Sequence, residues 1–409
     1  MADELLHIDT NWLRRFRSAL RRWHAHGGRD LPWRNCRDPY KVWISEIMLQ
    51  QTTVAAVKPY FERFLKRFPN VAALAAANES DVLRLWEGLG YYSRGRNLRK
   101  AAQVIVANGG EFPETLDELL PLPGIGRYTA GAIVSFAFDR PAPILEANTL
   151  RLYSRLLGFR DDPRSTAGQR VLWSFAEKLV PTKSPGEFNQ ALMDLGATVC
   201  TPTEPRCDEC PVAACCRALA QQAQAEIPLP ARRPEITETR EAYVAIESSG
   251  RYLIYRRPEG QRWAGLWDFP RFELPARDAK AGNPKRQRGC EKITRGTATK
   301  TDRVPDSLAD ASGYMGRRAI ADARRFLEQQ IAADFGPRVT ISERLTQIKH
   351  SVTRFRITLD CWRAETIGNH ELITKHPTAW VKPSQFARYP FSTTGRQFAE
   401  CLSRSVSDP

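Results

Sequence analysis

The sequence has no run of about 18 apolar residues, the length that a helix needs to cross a bilayer, so we expect no membrane-spanning segment. Its first residues, MADELLHIDTNWLRR, lack the apolar stretch of a secretory signal, which favours a cytoplasmic location. Acidic side chains are the minority among the charges, with 46 Asp and Glu against 61 Lys and Arg and a net charge of +15. That excess favours a polyanionic partner, most simply a nucleic acid.

Two domains of different character are predicted from the pattern of apolar residues in the 409-residue chain. Residues 1–217 carry apolar side chains at helical spacing, as in WLRRFRSAL and VWISEIMLQQ, and predict a mainly α-helical domain. Residues 218–240 contain three prolines and have little to bury, and we interpret them as an extended connector. Residues 241–403 alternate as strands do, around one helix near 316–331, and predict a smaller α+β domain.

Residues 276–312 interrupt the second domain with a basic segment that has almost no aliphatic or aromatic side chains. Such a composition cannot form a core, so we predict a disordered insertion. We favour a tolerated surface loop over the alternative, a basic tail that holds nucleic acid loosely.

Five of the nine cysteines fall between Cys200 and Cys216. Their odd total and the lack of an export signal argue against a disulfide framework. Cys200, Cys207, Cys210 and Cys216 have the spacing C-x6-C-x2-C-x5-C, with only one of the two CxxC pairs typical of zinc sites. Four thiolates so close in sequence suit one 4Fe-4S cluster, whose irons each take one thiolate. Cys215 is left over and is interpreted as a bystander.

The segment LPGIGRYTAGAI, residues 122–133, predicts a tight turn between two helices. Gly124 and Gly126 permit unusual backbone angles and leave amide groups bare at a helix N-terminus, which can bind an anion. With Leu122 packed inward, the segment has the pattern of a helix-hairpin-helix, which grips the DNA backbone without reading its sequence.

Two glutamates lie in apolar surroundings. Glu46, in VWISEIMLQQ, shares a helical stripe with Val42 and Leu49, and desolvation there would raise its pKa and suit it to act as a general acid. The alternative is a helix-edge carboxylate that reaches water. Glu146, in APILEANTL, stands where a helix should begin and could simply cap it. Cleavage of a glycosidic bond needs such a pair, one group to protonate the leaving group and one to face the sugar cation.

These segments together resemble the endonuclease III superfamily of DNA glycosylases and, within it, the adenine DNA glycosylases. The resemblance covers residues 10–217 almost without gaps and rests on LPWR, PYKVWISEIMLQQTTV, LWEGLGYYSRGRNLRKAA, LPGIGRYTAGAI, FNQALMDLGATVC and the four cysteines. The segment RWAGLWDFP extends it weakly into a Nudix-like second domain. It implies a monomeric enzyme, nucleoid-associated if bacterial, that removes adenine opposite 8-oxoguanine or guanine in double-stranded DNA after flipping it out of the duplex.

The resemblance also implies catalytic roles. Glu46 matches the acid that protonates adenine, while Tyr128 and Asn148 match residues that support the sugar cation and its carboxylate, Glu146. Bifunctional members of the superfamily carry at position 128 a lysine that forms a Schiff base. A phenol cannot do so, and we therefore predict a monofunctional glycosylase.

DNA contacts are implied on both sides of the duplex. Gln50 and Gln51 match residues at the void left by the flipped base. Tyr91 matches an aromatic wedge beside 8-oxoguanine, and we interpret Arg94, in the basic run that follows, as a phosphate contact.

Three features depart from the family pattern. Glu146 replaces the usual aspartate, and a shift of about an ångström can cost ~100-fold in rate. Thr353 and Arg354, with the preceding valine, replace Phe-Ser-His in the recognition loop; Arg354 is either a contact to 8-oxoguanine or phosphate, or an ordinary basic strand residue. The helix near 316–331 has one glutamate, so we expect neither nucleotide hydrolysis nor a magnesium site there.

Two other functions remain open from the sequence. One is an endonuclease III-like glycosylase/lyase that acts on oxidised pyrimidines, although position 128 argues against it. The other is a lesion-binding protein that has lost catalysis, which the aspartate-to-glutamate change at position 146 keeps open.

Overall fold

The computed structural model describes residues 6–34, 36–231, 235–275, 317–336, 338–368, 374 and 376–405. The insertion predicted at 276–312 lies outside these residues. The chain divides into two compact units, residues 1–233 and 234–409, so that the division falls within the segment interpreted as a connector.

The first unit is built from helices. Their bounds are α1 Thr10–Gly27, α2 Pro39–Leu49, α3 Val54–Arg67, α4 Val71–Ala76, α5 Glu79–Trp86, α6 Ser93–Ala107, α7 Leu116–Leu119, α8 Arg127–Phe138, α9 Ala147–Leu157, α10 Thr166–Leu179, α11 Pro185–Thr198 and α12 Arg217–Ala220, with a 3-10 turn at Ala213–Cys215. Residues 6–217, where described, contain no strand, as their periodicity predicts. Helices in the described part of the chain are all too short or too polar to cross a membrane.

Local sequence explains where these helices begin. At several helix starts a short polar side chain accepts a hydrogen bond from a backbone N–H group of the first turn. The acceptors are Asp9 before α1, Thr53 before α3 and Ser165 before α10. Proline occupies the first position of α2 and of α11, where its missing N–H costs nothing. Helices α1, α9, α10 and α11 then bury one continuous apolar core.

The second unit contains one seven-stranded mixed sheet. Its strands are β1 Thr237–Ser248, β2 Arg251–Arg256, β3 Trp267–Asp268, β4 Arg271–Glu273, β5 Val339–Val352, β6 Phe355–Thr366 and β7 Thr378–Val381, accompanied by α13 Arg317–Phe335, a 3-10 helix Pro383–Arg388 and α14 Thr393–Ser405. The order is β3-β2-β1-β6-β5, with β4 beside β1 and β7 beside β2. Strands β1 and β6 are parallel and the other pairs are antiparallel.

Both faces of this sheet are covered. Ala242, Val244 and Ile246 of β1 face the core that contains residues of α13, whereas Tyr243 and Ala245 face the core that contains residues of α14. Because both faces are buried, the strand reads as a nearly continuous apolar run. The predicted fold class, a mainly α-helical domain followed by a smaller α+β domain, is confirmed.

The segment 218–240 differs from an extended connector at both ends. Helix α12 occupies its beginning, and β1 already starts at Thr237. Ala218 in α12 and Ala223 and Ile227 after it are buried, and the Ile227 carbonyl accepts a hydrogen bond from Arg155. This proline-containing segment therefore packs against the helices instead of forming an extended connector.

Candidate active site

A cavity of about 530 Å³ lies in the helical unit. It brings together residues from the end of α2, the start of α8, the start of α9 and the middle of α11. Six residues that the sequence predicted for catalysis or for the mismatch void line it: Glu46, Gln50, Gln51, Tyr128, Glu146 and Asn148. One cavity thus collects side chains that are about 100 positions apart in the chain.

Glu46 is buried in this cavity, with 4% of its surface exposed. The alternative of a helix-edge carboxylate that reaches water is therefore wrong. Burial raises the pKa of the Glu46 carboxyl to about 7, against a hydrogen bond from Tyr128 that lowers it. The Tyr128 hydroxyl donates to Glu46 Oε2 over 2.6 Å, and its own pKa is raised well above 10 by burial and by the two glutamates, so it remains a donor.

Glu146 caps a helix and also lines the cavity. It caps α9, because its Oε1 accepts the Thr149 N–H and its Oε2 accepts the Asn148 N–H, each over 2.9 Å. The same carboxyl lines the cavity, and its pKa is raised by burial even though the two N–H groups lower it. A helix N-terminus therefore holds a carboxylate in place at the wall of the site.

Asn148 is fixed from the side of the cysteine-containing loop. Its Oδ1 accepts a hydrogen bond from Arg151 Nη2 over 3.0 Å, and Arg151 also donates to the carbonyls of Gly196 and Cys200 over 2.6 and 2.7 Å. A Cβ atom at Gly196 would lie 2.8 Å from Asn148 Cβ, so the glycine permits α11 to approach the start of α9 this closely.

A buried ionic cluster at the edge of the cavity was not predicted from the sequence. Asp194 on α11 accepts two hydrogen bonds from Arg34, over 2.6 and 2.7 Å, and a third from Arg29 Nε over 2.6 Å. Burial alone would raise the Asp194 pKa, but His24 and Arg34 hold it well below its usual range. Arg29 and Arg34 also line the cavity, and Arg34 lowers the pKa of Glu46. The segment LPWR, which ends in Arg34, was the feature of the sequence that could have indicated this cluster.

Two adjacent tyrosines in the loop between α5 and α6 differ in exposure. Tyr91 is 48% exposed and has a φ of 47°, whereas Tyr92 is 6% exposed and packs into the core. This exposure is what a wedge at position 91 requires. Gln51 is exposed with a φ of 57°, while Gln50 turns inward and donates to Thr129 Oγ1 over 3.3 Å.

Arg94 differs from its predicted role as a phosphate contact. Its guanidinium is partly buried and donates to main-chain carbonyls on both sides of it, including those of Ile47 over 2.8 Å and Leu89 over 3.0 Å. The amphipathic pattern of α6 did not reveal this, because the acceptors at the end of α2 are remote in sequence.

The predicted turn joins α7 to α8. Gly124 has a φ of 80°, and a Cβ there would lie 2.8 Å from Asn97 Cβ, so glycine is required on both grounds. Gly126 has an ordinary φ of −98° and open space around it, so its predicted conformational role is wrong, although it does cap α8. Leu122 is 6% exposed, and its side chain packs inward rather than toward DNA.

The recognition-loop residues lie at the tip of the β5–β6 hairpin. Thr353 and Arg354 form its two-residue turn and both are exposed, with a φ of 52° at Thr353. The Thr353 hydroxyl donates to the Val352 carbonyl over 2.7 Å, and the Arg354 guanidinium lies over the Phe355 ring at 5.2 Å. Arg354 is therefore a turn residue and not an ordinary strand residue.

Four cysteines line one small cavity beside α9. They are Cys200, Cys207, Cys210 and Cys216, and Cys215 is not among the lining residues but is buried in the apolar core. Arg155 Nη1 donates to Cys200 Sγ over 3.3 Å. In the described ranges no three Cys, His, Asp or Glu side chains converge on a single-ion site. Four thiols around one cavity match the donor set of a cluster of four irons, in which each iron takes one thiolate.

Comparisons with known proteins show the family of this chain. Residues 44–178 match the family model of the HhH-GPD superfamily base excision DNA repair proteins. An adenine DNA glycosylase of Buchnera aphidicola subsp. Schizaphis graminum is 40% identical over 252 residues, with 61% of this chain and 73% of that protein covered. An adenine DNA glycosylase of Mus musculus is 39% identical over 314 residues, with 63% and 61% covered.

This chain therefore spans about three fifths of the mouse relative's length. Among solved structures, that of a thermostable thymine-DNA glycosylase is 29% identical and covers 52% of this chain and 98% of its own, with a TM-score of 0.48.

Proposed function

Because the chain belongs to the adenine DNA glycosylases, we propose that it hydrolyses the N-glycosidic bond of adenine that is paired with 8-oxoguanine or guanine in double-stranded DNA. The observation that carries the proposal is the Glu46 carboxyl, buried beside Tyr128 with a pKa of about 7 in a cavity that also contains Glu146. A buried acid that is half protonated near neutral pH is suited to donate a proton to a leaving group.

The two carboxyls divide the chemistry between them. Glu46 protonates the flipped adenine, so that the base departs as a neutral group. Glu146, as a carboxylate, faces the cation that develops on the sugar, while Asn148 beside it and Tyr128, which donates to Glu46, position the reacting groups. Water then adds to the sugar and loses one proton as it becomes the new hydroxyl. That proton replaces the one that Glu46 gave to adenine, and hydrolysis is complete.

The lining of the cavity supports a monofunctional reaction. No lysine is among the described residues that line it, and Tyr128 stands at the position where, by resemblance, bifunctional members of the superfamily carry their lysine. A phenol whose pKa is raised well above 10 remains a hydrogen-bond donor and does not form a Schiff base.

The four clustered cysteines would hold a 4Fe-4S cluster in the loop that follows α11. A bound cluster would cross-link residues 200–216, adjacent to the Arg151 contacts that reach Asn148. The Arg155 donor to Cys200 would stabilise the negative charge of the thiolates.

DNA would be held by several separate features of the chain. The exposed amides of the α7–α8 turn would bind a phosphate, and Tyr91 would enter the base stack. At the tip of the β5–β6 hairpin, the exposed Thr353 and Arg354 would contact 8-oxoguanine. The excess of basic over acidic residues supports a DNA partner, and we propose that one copy of the chain acts as a monomer at the nucleoid.

The rate of excision should fall as pH rises through about 7, because Glu46 then loses the proton that it must donate. Tyr128→Phe removes the hydrogen bond that stabilises the Glu46 carboxylate, so the Glu46 pKa should rise and the alkaline limb should move to higher pH. Single-turnover excision measured from pH 5 to 9 tests this. Tyr40→Phe, which loses a phenol–carbonyl bond of 2.8 Å elsewhere in the unit, is the control and should leave the limb in place. A limb that moves to lower pH in Tyr128→Phe would contradict the assignment of the acid.

The function itself is tested by single-turnover adenine release from duplexes with adenine opposite 8-oxoguanine, guanine or thymine. We expect fast release opposite 8-oxoguanine, slower release opposite guanine and none opposite thymine. A duplex with thymine glycol and a borohydride trap tests the lyase alternative, and cleavage with a trapped adduct would replace our proposal. Tight mismatch binding without base release would instead establish a lesion-binding protein.

A further inference from the structure

Arg94 lies where two segments proposed to enter the DNA meet, and its guanidinium donates to main-chain carbonyls of both. Its Nη1 donates to the carbonyls of Ile47 and Met48, over 2.8 and 3.1 Å, and also to that of Gln50. Its Nη2 donates to the carbonyls of Leu89 and Gly90, over 3.0 and 3.2 Å. One guanidinium therefore joins the end of α2 to the loop that carries Tyr91.

Both of these segments have unusual backbone conformations. Gln51, directly after α2, and Tyr91 have φ values of 57° and 47°, in the left-handed region that non-glycine residues seldom adopt. Gly90, which precedes the wedge and accepts a hydrogen bond from Arg94, has a φ of 70°. Conformations of this kind persist only where the surroundings over-determine them, and the shared cation supplies hydrogen bonds to both.

Electrostatics favour a cation in this position. The carbonyls of Ile47 and Met48 belong to the last turn of α2, the negative end of a helix dipole. Burial lowers the Arg94 pKa to about 10, which leaves the guanidinium charged at neutral pH. The planar fork of arginine can serve two sets of carbonyls at once, whereas a lysine presents a single nitrogen.

We propose that Arg94 is a positioning residue that couples the Gln50–Gln51 turn to the Tyr91 loop, so that wedge insertion and filling of the mismatch void occur as one event. Arg94 also holds the carbonyl of Ile47, the residue next to Glu46, which extends the coupling to the end of the helix that carries the acid. We call the Arg94 hydrogen bonds to these two segments the clasp. Loss of the clasp should therefore move both segments, although they are not adjacent in sequence. The consequence for DNA rests on the function proposed above.

Hydrogen exchange on the free protein tests the clasp itself. Arg94→Met removes the donors but keeps an unbranched side chain, and we expect faster exchange in residues 47–52 and 88–92 together. Arg17→Met is the matched control, because Arg17 similarly donates to the carbonyls of Lys178, Leu179 and Val180 over 2.9 to 3.1 Å. It should alter exchange near 178–180 and leave the other two segments as they are. If only one segment responds in Arg94→Met, the coupling is refuted.

A double-mutant cycle tests the effect on DNA. Mismatch preference is the ratio of dissociation constants for duplexes with adenine opposite thymine and opposite 8-oxoguanine. Tyr91→Ala should reduce this preference by roughly tenfold in the parent chain and much less in Arg94→Met, since contacting residues typically couple. Equal reductions in both backgrounds would refute the proposal, and Arg94→Lys replaces the methionine variant should the latter not fold. A parent chain without any preference would overturn the proposed function, whereas the exchange result would still decide the clasp.

Discussion

Glu46→Gln is expected to reduce the single-turnover rate of adenine excision by about 10³-fold, within the range attributed to a positioned general acid. Glutamine has nearly the same shape as glutamic acid and can still accept the Tyr128 hydrogen bond, but it has no proton to donate. Binding to a duplex with adenine opposite 8-oxoguanine should be retained, because Glu46 acts on the reacting base and not on the DNA backbone. Excision at the parental rate would show that another group is the acid.

The same substitution should not destabilise the protein. The Glu46 pKa is raised on folding, from 4.5 to about 7, so the folded state holds a proton that the unfolded state has lost over that interval. The penalty for burying this carboxyl is absent below pH 4.5, grows as pH rises to about 7 and is complete above it. Glutamine carries no such penalty, and the variant should gain stability relative to the parent, on the order of 3 kcal/mol at pH 8.

Urea denaturation at pH 4.5 and pH 8 measures this difference. Asp194→Asn is the contrasting variant, since the Asp194 pKa is depressed by its arginine and histidine neighbours and the folded state gains from its charge. Asp194→Asn should lose stability at pH 8 where Glu46→Gln gains it. A Glu46→Gln variant that loses both activity and stability would indicate that Glu46 is a structural residue.

Glu146→Gln is expected to reduce excision by about 10²- to 10³-fold, because it removes the negative charge that faces the sugar cation. The amide oxygen can replace only one of the two acceptors that now bind the Asn148 and Thr149 N–H groups. The loss of one cap hydrogen bond, about 1 kcal/mol, is opposed by the relief of burying a charge whose pKa is raised, so stability should change much less than activity.

Two further variants separate the charge from the cap. Glu146→Asp keeps the charge and a good capping side chain, and should excise faster than Glu146→Gln even if the shorter side chain lowers the rate. Ser165→Ala removes a hydroxyl that accepts the Gly168 N–H over 3.0 Å at the start of α10, and should lose about 1 kcal/mol of stability with unchanged excision. If Glu146→Gln excises like Ser165→Ala, Glu146 is only a helix cap.

Secondary structure and the identity of the main motifs could be predicted from the sequence. Apolar spacing is a local property, and it correctly separated the helices of residues 10–217 from the strands that follow. The α7–α8 turn was predicted because its glycines and its flanking helices are contiguous. Strand β1 was predicted too short, since its first residues are polar and follow three prolines.

The chemistry of the site depended on contacts between distant parts of the chain. Glu46 and Tyr128 are 82 positions apart, and their hydrogen bond exists because α2 packs against α8. From the sequence alone, Glu46 could be a solvated helix-edge residue or a buried acid, and packing decided between them. The same holds for Arg94, which its basic neighbours predicted to be a phosphate contact although its guanidinium is held by carbonyls of two other segments.

By itself, the sequence determined the order of helices and strands, the charge excess and the spacing of the four cysteines, because each is set by neighbouring residues. Only the tertiary structure decided which carboxyls are desolvated and which arginines donate to protein carbonyls and carboxylates. It also decided that Glu146 both caps a helix and lines the cavity. A pKa depends on the water and charge within a few ångströms, and packing determines which residues come that close.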